Sequence, residues 1–179
     1  MKNPRTFSLL CCALLPAWVA AQDSRVLKPE EIDERTLIGL LAPEPSAKPR
    51  TRSINVMREE SAPLKPAAAS LLITFETNSA SLTPKGKQSL DVVARALGSD
   101  KLSGFRFAVE GHTDPRGGEE YNQRLSQSRA ESVVGYLADS RQIERRRLTP
   151  IGKGPSELLN PARPESPENR RVTIKRLDN

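Results

Sequence analysis

The chain is short of the residues that most site chemistry requires. Its 179 residues hold one histidine, His112, and two cysteines, Cys11 and Cys12, which sit side by side in an N-terminal apolar run. No cysteine follows, so a chain trimmed of that run has neither a disulfide nor a thiolate metal site. One histidine excludes zinc sites of the usual composition, and neither metal nor cofactor is expected. Aromatic residues make up 4% and hydrophobic residues 36%, both low for a chain folded throughout. A compact domain of about 100 residues with less ordered flanks accommodates those values better. Basic residues are not interleaved with stacking aromatics, so nucleic acid is not an expected partner. Neither a G-x-S-x-G nucleophile elbow nor an internal repeat occurs.

Charge is present but spread out. The formal total is +6. Residues 1–21 carry +2, residues 22–70 are balanced, and the remainder carries +4. That excess suits an anionic polymer environment. Lys2 and Arg5 precede the apolar stretch Phe7 to Leu15, and Val19 and Ala21 fit the −3 and −1 positions of a cleavage site. Residues 1–21 therefore read as a secretory signal peptide, too short for a comfortable span. Leu10 before Cys11 argues against a lipidation site, which needs a small residue there.

Residues 22–69 read as an N-terminal segment with a short helix and a proline-rich linker. Pro29 suits a first helical turn, and Ile32, Leu37, Ile38, Leu40 and Leu41 supply apolar surface. That stretch reads either as a marginal local helix or as a surface for the later domain or a partner. Ser53 to Met57 alternates briefly like an edge strand, and Pro63 and Pro66 read as a spacer.

Residues 70–179 read as the folded domain. Leu71, Ile73 and Phe75 share one strand face. Thr83-Pro84 starts a helix whose apolar face is Leu90, Val93, Ala94 and Leu97, with Gly98 placed to end it. Phe105, Phe107 and Val109 alternate on a second strand. A second helix runs from about Glu119 to Leu137, burying Ala130, Val133, Val134 and Leu137. Arg145 to Arg147 read as a solvated turn. Leu148 and Ile151 mark a third strand ending at Gly152. Pro155 to Pro167 is a surface excursion with a helical turn at Ser156 to Leu159. Val172, Ile174 and Leu177 mark a last strand, and Arg171 is expected in solvent. The order strand–helix–strand–helix–strand–strand predicts an α+β fold, with helices packed on one mixed sheet.

The stretch EGHTDPRGGEEYNQRLSQSR, Glu110 to Arg129, stands out within this plan. A strand runs into a polar corner holding His112 and Asp114, Gly117 and Gly118 allow a turn, and Glu119 and Glu120 suit a helix start. Arg129 follows Asp114 by fifteen residues, on the helix. A carboxylate at the corner and a guanidinium on the helix can face one cleft, which suits a ligand carrying both an ammonium and a carboxylate. His112 reads as a structural hydrogen-bonding residue at the strand end.

This stretch, with FETNSASLTPKG (Phe75 to Gly86), IGKG (Ile151 to Gly154) and ENRRV (Glu168 to Val172), resembles the OmpA-like peptidoglycan-binding domain. That family includes the peptidoglycan-associated lipoproteins and the stator protein MotB. The similarity covers roughly Leu71 to Asp178. It implies non-catalytic binding of cell-wall peptidoglycan through the diaminopimelate of the peptide stem. Asp114 would receive the ammonium and Arg129 the carboxylate, for which a guanidinium offers a bidentate fork. Asn122 and Leu125 would line the cleft, with Arg170 at its rim. The implied location is the periplasm of a Gram-negative bacterium, at the wall and in reach of the outer membrane. Two other readings stay open. Residues 22–69 would recruit an outer-membrane, secretion or motility partner, or His112, Asp114 and Ser126 would form a hydrolase set. No oligomeric state is implied.

Overall fold

The computed structural model describes residues 26–43 and 67–177. The signal-peptide reading of 1–21 and the strand reading of 53–57 lie outside the described residues. The elements in chain order are β1 (Val26–Leu27), α1 (Glu34–Leu41), β2 (Ala68–Leu71), α2 (Pro84–Gly98), β3 (Arg106–His112), α3 (Glu119–Gly135), β4 (Leu148–Gly154) and β5 (Val172–Leu177). Short 3-10 turns occupy Pro29–Glu31, Arg145–Arg147 and Pro167–Asn169, and a π turn, Tyr136–Ser140, prolongs α3.

The strands form one mixed sheet ordered β1-β2-β5-β3-β4. β5 runs antiparallel to both β2 and β3, whereas β3 and β4 are parallel. Helices pack on this sheet in an α+β layer arrangement, as the element order predicts. Phe107 and Val109 of β3, Val172 and Ile174 of β5, and Leu90, Val93 and Leu97 of α2 are buried in one core with Ala130, Val133, Val134 and Leu137. α2 begins as the sequence suggests: the Thr83 side chain accepts from the Gly86 amide, and Pro84 opens the helix.

Several expectations need correction. β2 spans Ala68–Leu71 and ends before Ile73; Phe75 joins only an isolated antiparallel bridge to Leu82. β4 continues two residues past Gly152, to Gly154. Ser156 to Leu159 forms bends rather than a helical turn, and the helical turn of the excursion lies at Pro167–Asn169. Arg171 is buried, not solvated. The helix in 22–69 is not marginal: Leu37 and Leu41 are fully buried in the common core, and β1 pairs with β2. Arg176 adds a hydrogen bond of 2.7 Å from Nη1 to the Leu41 carbonyl. Of the apolar cluster that suggested a partner surface, Leu40 stays open at 43% exposure. Among the described residues, no helix is long and apolar enough to cross a membrane.

Arg147 also departs from the solvated turn. Its Nε donates to the Phe105 carbonyl at 3.0 Å, and its Nη2 donates to Leu97 and Leu102 carbonyls at 2.9 and 2.7 Å. The guanidinium lies 5.8 Å from the Phe107 ring centroid. One side chain thus satisfies carbonyls where α2 ends and the chain turns into β3. Arg145 and Arg146 are exposed. Arg147→Ala should cost about 2–4 kcal/mol in urea unfolding, because charged donors to three part-buried carbonyls are lost. The same change at Arg145 should stay within about 0.5 kcal/mol.

α3 approaches the sheet at backbone range. A Cβ on Gly111 would collide with the Ser126 carbonyl oxygen, and one on Gly152 would lie 2.6 Å from the Gln127 nitrogen. Polar side chains of α3 then stitch it to β4. Gln123 donates to the Gly152 carbonyl at 2.8 Å, Gln127 accepts from the Gly152 amide at 2.6 Å, and Ser126 accepts from the Gly154 amide at 2.9 Å. Gly111→Ala forces helix and sheet apart, so a loss of about 1–3 kcal/mol in chemical unfolding is expected.

Candidate functional site

The site forms where β3 ends, because β3 delivers His112 and the two residues after it to the rim of the sheet. Asp114 is only 5% exposed, yet both of its carboxylate oxygens accept hydrogen bonds. Its Oδ1 accepts from the Arg116 amide at 3.1 Å, closing a turn of the type aspartate favours two residues before an amide. Its Oδ2 accepts from Arg116 Nη2 at 2.7 Å, Arg116 Nε at 3.2 Å and Arg170 Nη1 at 2.8 Å. Burial by itself would raise the Asp114 pKa. The hydrogen bonds from Arg116 and Arg170 outweigh it, so the carboxyl is held below its ordinary value.

Arg129 reaches the same region from α3. Its Nε donates to the Ser79 carbonyl at 3.1 Å, and its guanidinium lies 5.0 Å from the Phe75 centroid. The turn before α2 presents that carbonyl, with Asn78 at a φ of 51°, a left-handed value asparagine tolerates. Burial lowers the Arg129 pKa, and Arg170 lowers it further, whereas Tyr121 and Asp114 raise it. Arg129 and Arg170 line one cavity of about 240 Å³ with Phe75, His112, Pro167 and Arg171. Asp114 is tied to this cavity through Arg170.

The other sequence-named residues take distinct places. Asn122 is buried, and its Nδ2 donates to the Arg116 carbonyl at 2.8 Å, so it shapes the corner. Gly117, with a φ of 89°, supplies the left-handed residue of that corner. Leu125 is half-buried on α3. Arg170 also donates to the Glu165 carbonyl at 3.3 Å.

Two contributors escape sequence reasoning. Arg116 is the first, although an arginine two residues after a corner aspartate is a readable signal. The second is Asn169, which is fully buried and holds the excursion in shape. Its Nδ2 donates to the Pro164 and Arg163 carbonyls at 2.8 and 3.1 Å, and its Oδ1 accepts from the Asn160 amide at 2.9 Å. That loop places Arg170.

His112, Asp114 and Ser126 do not form a hydrogen-bonded set. Ser126 Oγ donates to the Gln123 carbonyl and accepts from Gly154, while Asp114 is taken by arginines. The His112 ring nitrogens have no hydrogen-bond partner, which corrects the reading of this residue as a hydrogen-bonding one. Glu110, His112 and Glu157 bring possible ligand atoms within 4.8 Å of one another. The Lys153 ammonium already occupies the cation position there, 2.7 Å from Glu157 and 3.8 Å from Glu110.

The comparison with known families agrees with this fold and corner: the OmpA family model matches residues 74–172. The chain belongs to the OmpA family. It is 38% identical over 106 residues to a peptidoglycan-associated lipoprotein of Pseudomonas aeruginosa, covering 57% of this chain and 60% of that one. It is 40% identical over 84 residues to outer membrane protein A of Shimwellia blattae, covering 47% of this chain and 34% of that one. The chain therefore spans less than two thirds of either relative. Among solved structures, the cell wall anchor of the T6SS from Pseudomonas aeruginosa superposes with a TM-score of 0.51 at 27% identity, over 63% of this chain and 81% of that one. This OmpA-family chain thus shares the fold of wall-associated envelope proteins.

His112 makes the stability of the fold pH-dependent. Burial, reinforced by the Arg171 charge, pushes its pKa down to about 3. The unfolded chain takes up a proton near the ordinary value of about 6.5, which the folded chain refuses. Stability is therefore full above that pH and falls as the solution is acidified toward pH 3, by about 1.4 kcal/mol per unit. Urea titrations between about pH 6.5 and pH 4 should show this slope. His112→Gln should remove it in the upper part of that range, above about pH 5.5, where carboxylates stay ionised in both states.

Proposed function

We propose that this chain is a non-catalytic module that holds peptidoglycan through the diaminopimelate of its peptide stem. It would tether itself, or an envelope complex, to the wall in the periplasm of a Gram-negative bacterium. Export by a signal peptide at 1–21 belongs to the same reading, as does the division into 1–21, 22–69 and 70–179. The supporting observation is the buried Asp114 carboxylate joined through Arg170 to a cavity that Arg129 also lines, inside the family-matched stretch.

The side-chain end of diaminopimelate carries an ammonium and a carboxylate on one carbon. Asp114 is the anion for the first, and Arg129 is the fork for the second. Arg129 has one donor nitrogen committed to Ser79, and its stacking on Phe75 fixes the guanidinium plane. Asn122 and Leu125 act as corner support and cleft wall, and Arg170 forms the rim. Many weak sites on an immobile polymer retain the protein by avidity. The names of the relatives, a peptidoglycan-associated lipoprotein and a cell wall anchor, agree with this reading. Recruitment of an envelope partner through residues 22–69 has lost most of its motivation, since Leu37 and Leu41 are spent on the core.

Purified sacculi provide the test. The wild-type chain should co-sediment, and Asp114→Ala and Arg129→Ala should each weaken retention by about 2–5 kcal/mol, more than a hundred-fold for most of that range. Unchanged sedimentation by both variants rejects the site. Equal retention on lysine-type and diaminopimelate-type wall removes the diaminopimelate assignment.

A further inference from the structure

The carboxylate expected to receive an ammonium is not free: Arg116 and Arg170 both hold Asp114 Oδ2. Around the two adjoining cavities, positive charge is in excess. Arg129, Arg170 and Arg171 line the smaller one, and Arg163 and Glu165 line a second of about 460 Å³, bounded by Pro115 and sharing Pro167 with the first. Arg116 is bonded to Asp114 and is within range of the Glu165 charge. Arg163 is paired with Glu168 at 3.5 Å. Glu157 and Glu110 face Arg171, so the excess falls on Arg116, Arg129 and Arg170, which have Asp114 and Glu165 between them.

Ion-pair conservation sets what such a site can accept. A ligand ammonium can reach Asp114 Oδ2 only by displacing guanidinium, since three guanidinium N–H bonds already end there. If the ligand brings one carboxylate and Arg129 takes it, the displaced Arg116 gives up two side-chain bonds to Asp114 and gains none from the ligand. Solvent replaces those charge-assisted bonds only in part. A ligand with further carboxylates restores the balance. Arg116 is well suited to the exchange, since its side chain is 57% exposed and can swing without disturbing the core.

Resting on the peptidoglycan reading above, we propose that Arg116 is a specificity-determining residue: it guards Asp114 in the empty protein and, once displaced, grips a second carboxylate of the ligand. The substrate class is accordingly a stem peptide with free carboxyl groups beyond the side-chain zwitterion. Amidated stems are poor ligands. Arg170, braced by Asn169 and the Glu165 carbonyl, stays on Asp114 and keeps it oriented.

The experiment uses the full chain and two soluble stem tripeptides in calorimetry. Both keep the diaminopimelate side-chain ammonium and carboxylate intact, while the remaining carboxyls are free in one and amidated in the other. Wild type should bind the free peptide about ten-fold more tightly or better, the worth of one charge-assisted contact. Arg116→Gln should bind the two alike, and should bind the amidated peptide more tightly than wild type does because Asp114 is no longer guarded. Arg116→Lys should keep part of the discrimination. Equal binding of both peptides by wild type, with retention on sacculi intact, overturns this inference and leaves the peptidoglycan reading standing. So does discrimination that survives Arg116→Gln. Failure of wild type to sediment with sacculi overturns both.

Discussion

α3 lies on β3 and β4 at backbone contact because Gly111 and Gly152 present no side chain to it. Everything at the rim follows from that spacing. β3 ends two residues before Asp114, α3 carries Asn122 and Arg129, and the helix-to-strand distance decides how far the charges stand apart. Apolar packing alone would not fix the helix along its own axis. The bonds from Gln123, Ser126 and Gln127 to the β4 backbone do, since each demands a particular alignment. They also explain why the first half of α3 buries Asn122 and Ser126 where an ordinary amphipathic helix would bury leucine.

The charged cluster is a balance between desolvation and pairing. Asp114 is costly to bury, and two guanidiniums offset the cost by supplying short charge-assisted hydrogen bonds. Arginine serves here because one guanidinium fork can place two N–H groups on Oδ2, as Arg116 does. The arrangement pre-forms an anionic point at the protein surface and keeps it from collapsing inward. In the binding mode we propose, the ligand exchanges ion pairs with this cluster, so selectivity depends on how many carboxylates it carries. Beside this cluster, His112 is kept neutral by burial, and Lys153 settles Glu110 and Glu157.

Much of the fold was legible in the sequence because its signals are local. Thr83-Pro84 announced α2, the apolar positions of both long helices repeat at helical spacing, and Phe107 and Val109 alternate as a half-buried strand must. Failures fell where long-range contacts decide. Arg147 and Arg171 look like solvated charges in a polar stretch, yet carbonyls remote in the chain draw the first inward and the loop at Glu157 covers the second. The helix expected over Lys28 to Leu41 divides into a 3-10 turn at Pro29–Glu31 and the eight-residue α1; docking on α2 and β2 supplies what so short a helix lacks alone.

By itself, the sequence determined the order of elements, the α+β class, the family, and which residues form the corner and the facing helix. Those properties are carried by short-range periodicity, turn chemistry and ordered motifs. Only the tertiary structure decided that Arg116 and Arg170 converge on one oxygen of Asp114 and that Arg129 is anchored to Ser79, fifty residues away. Electrostatic partnership depends on separations of a few ångströms between distant parts of the chain, and linear spacing carries no information about those.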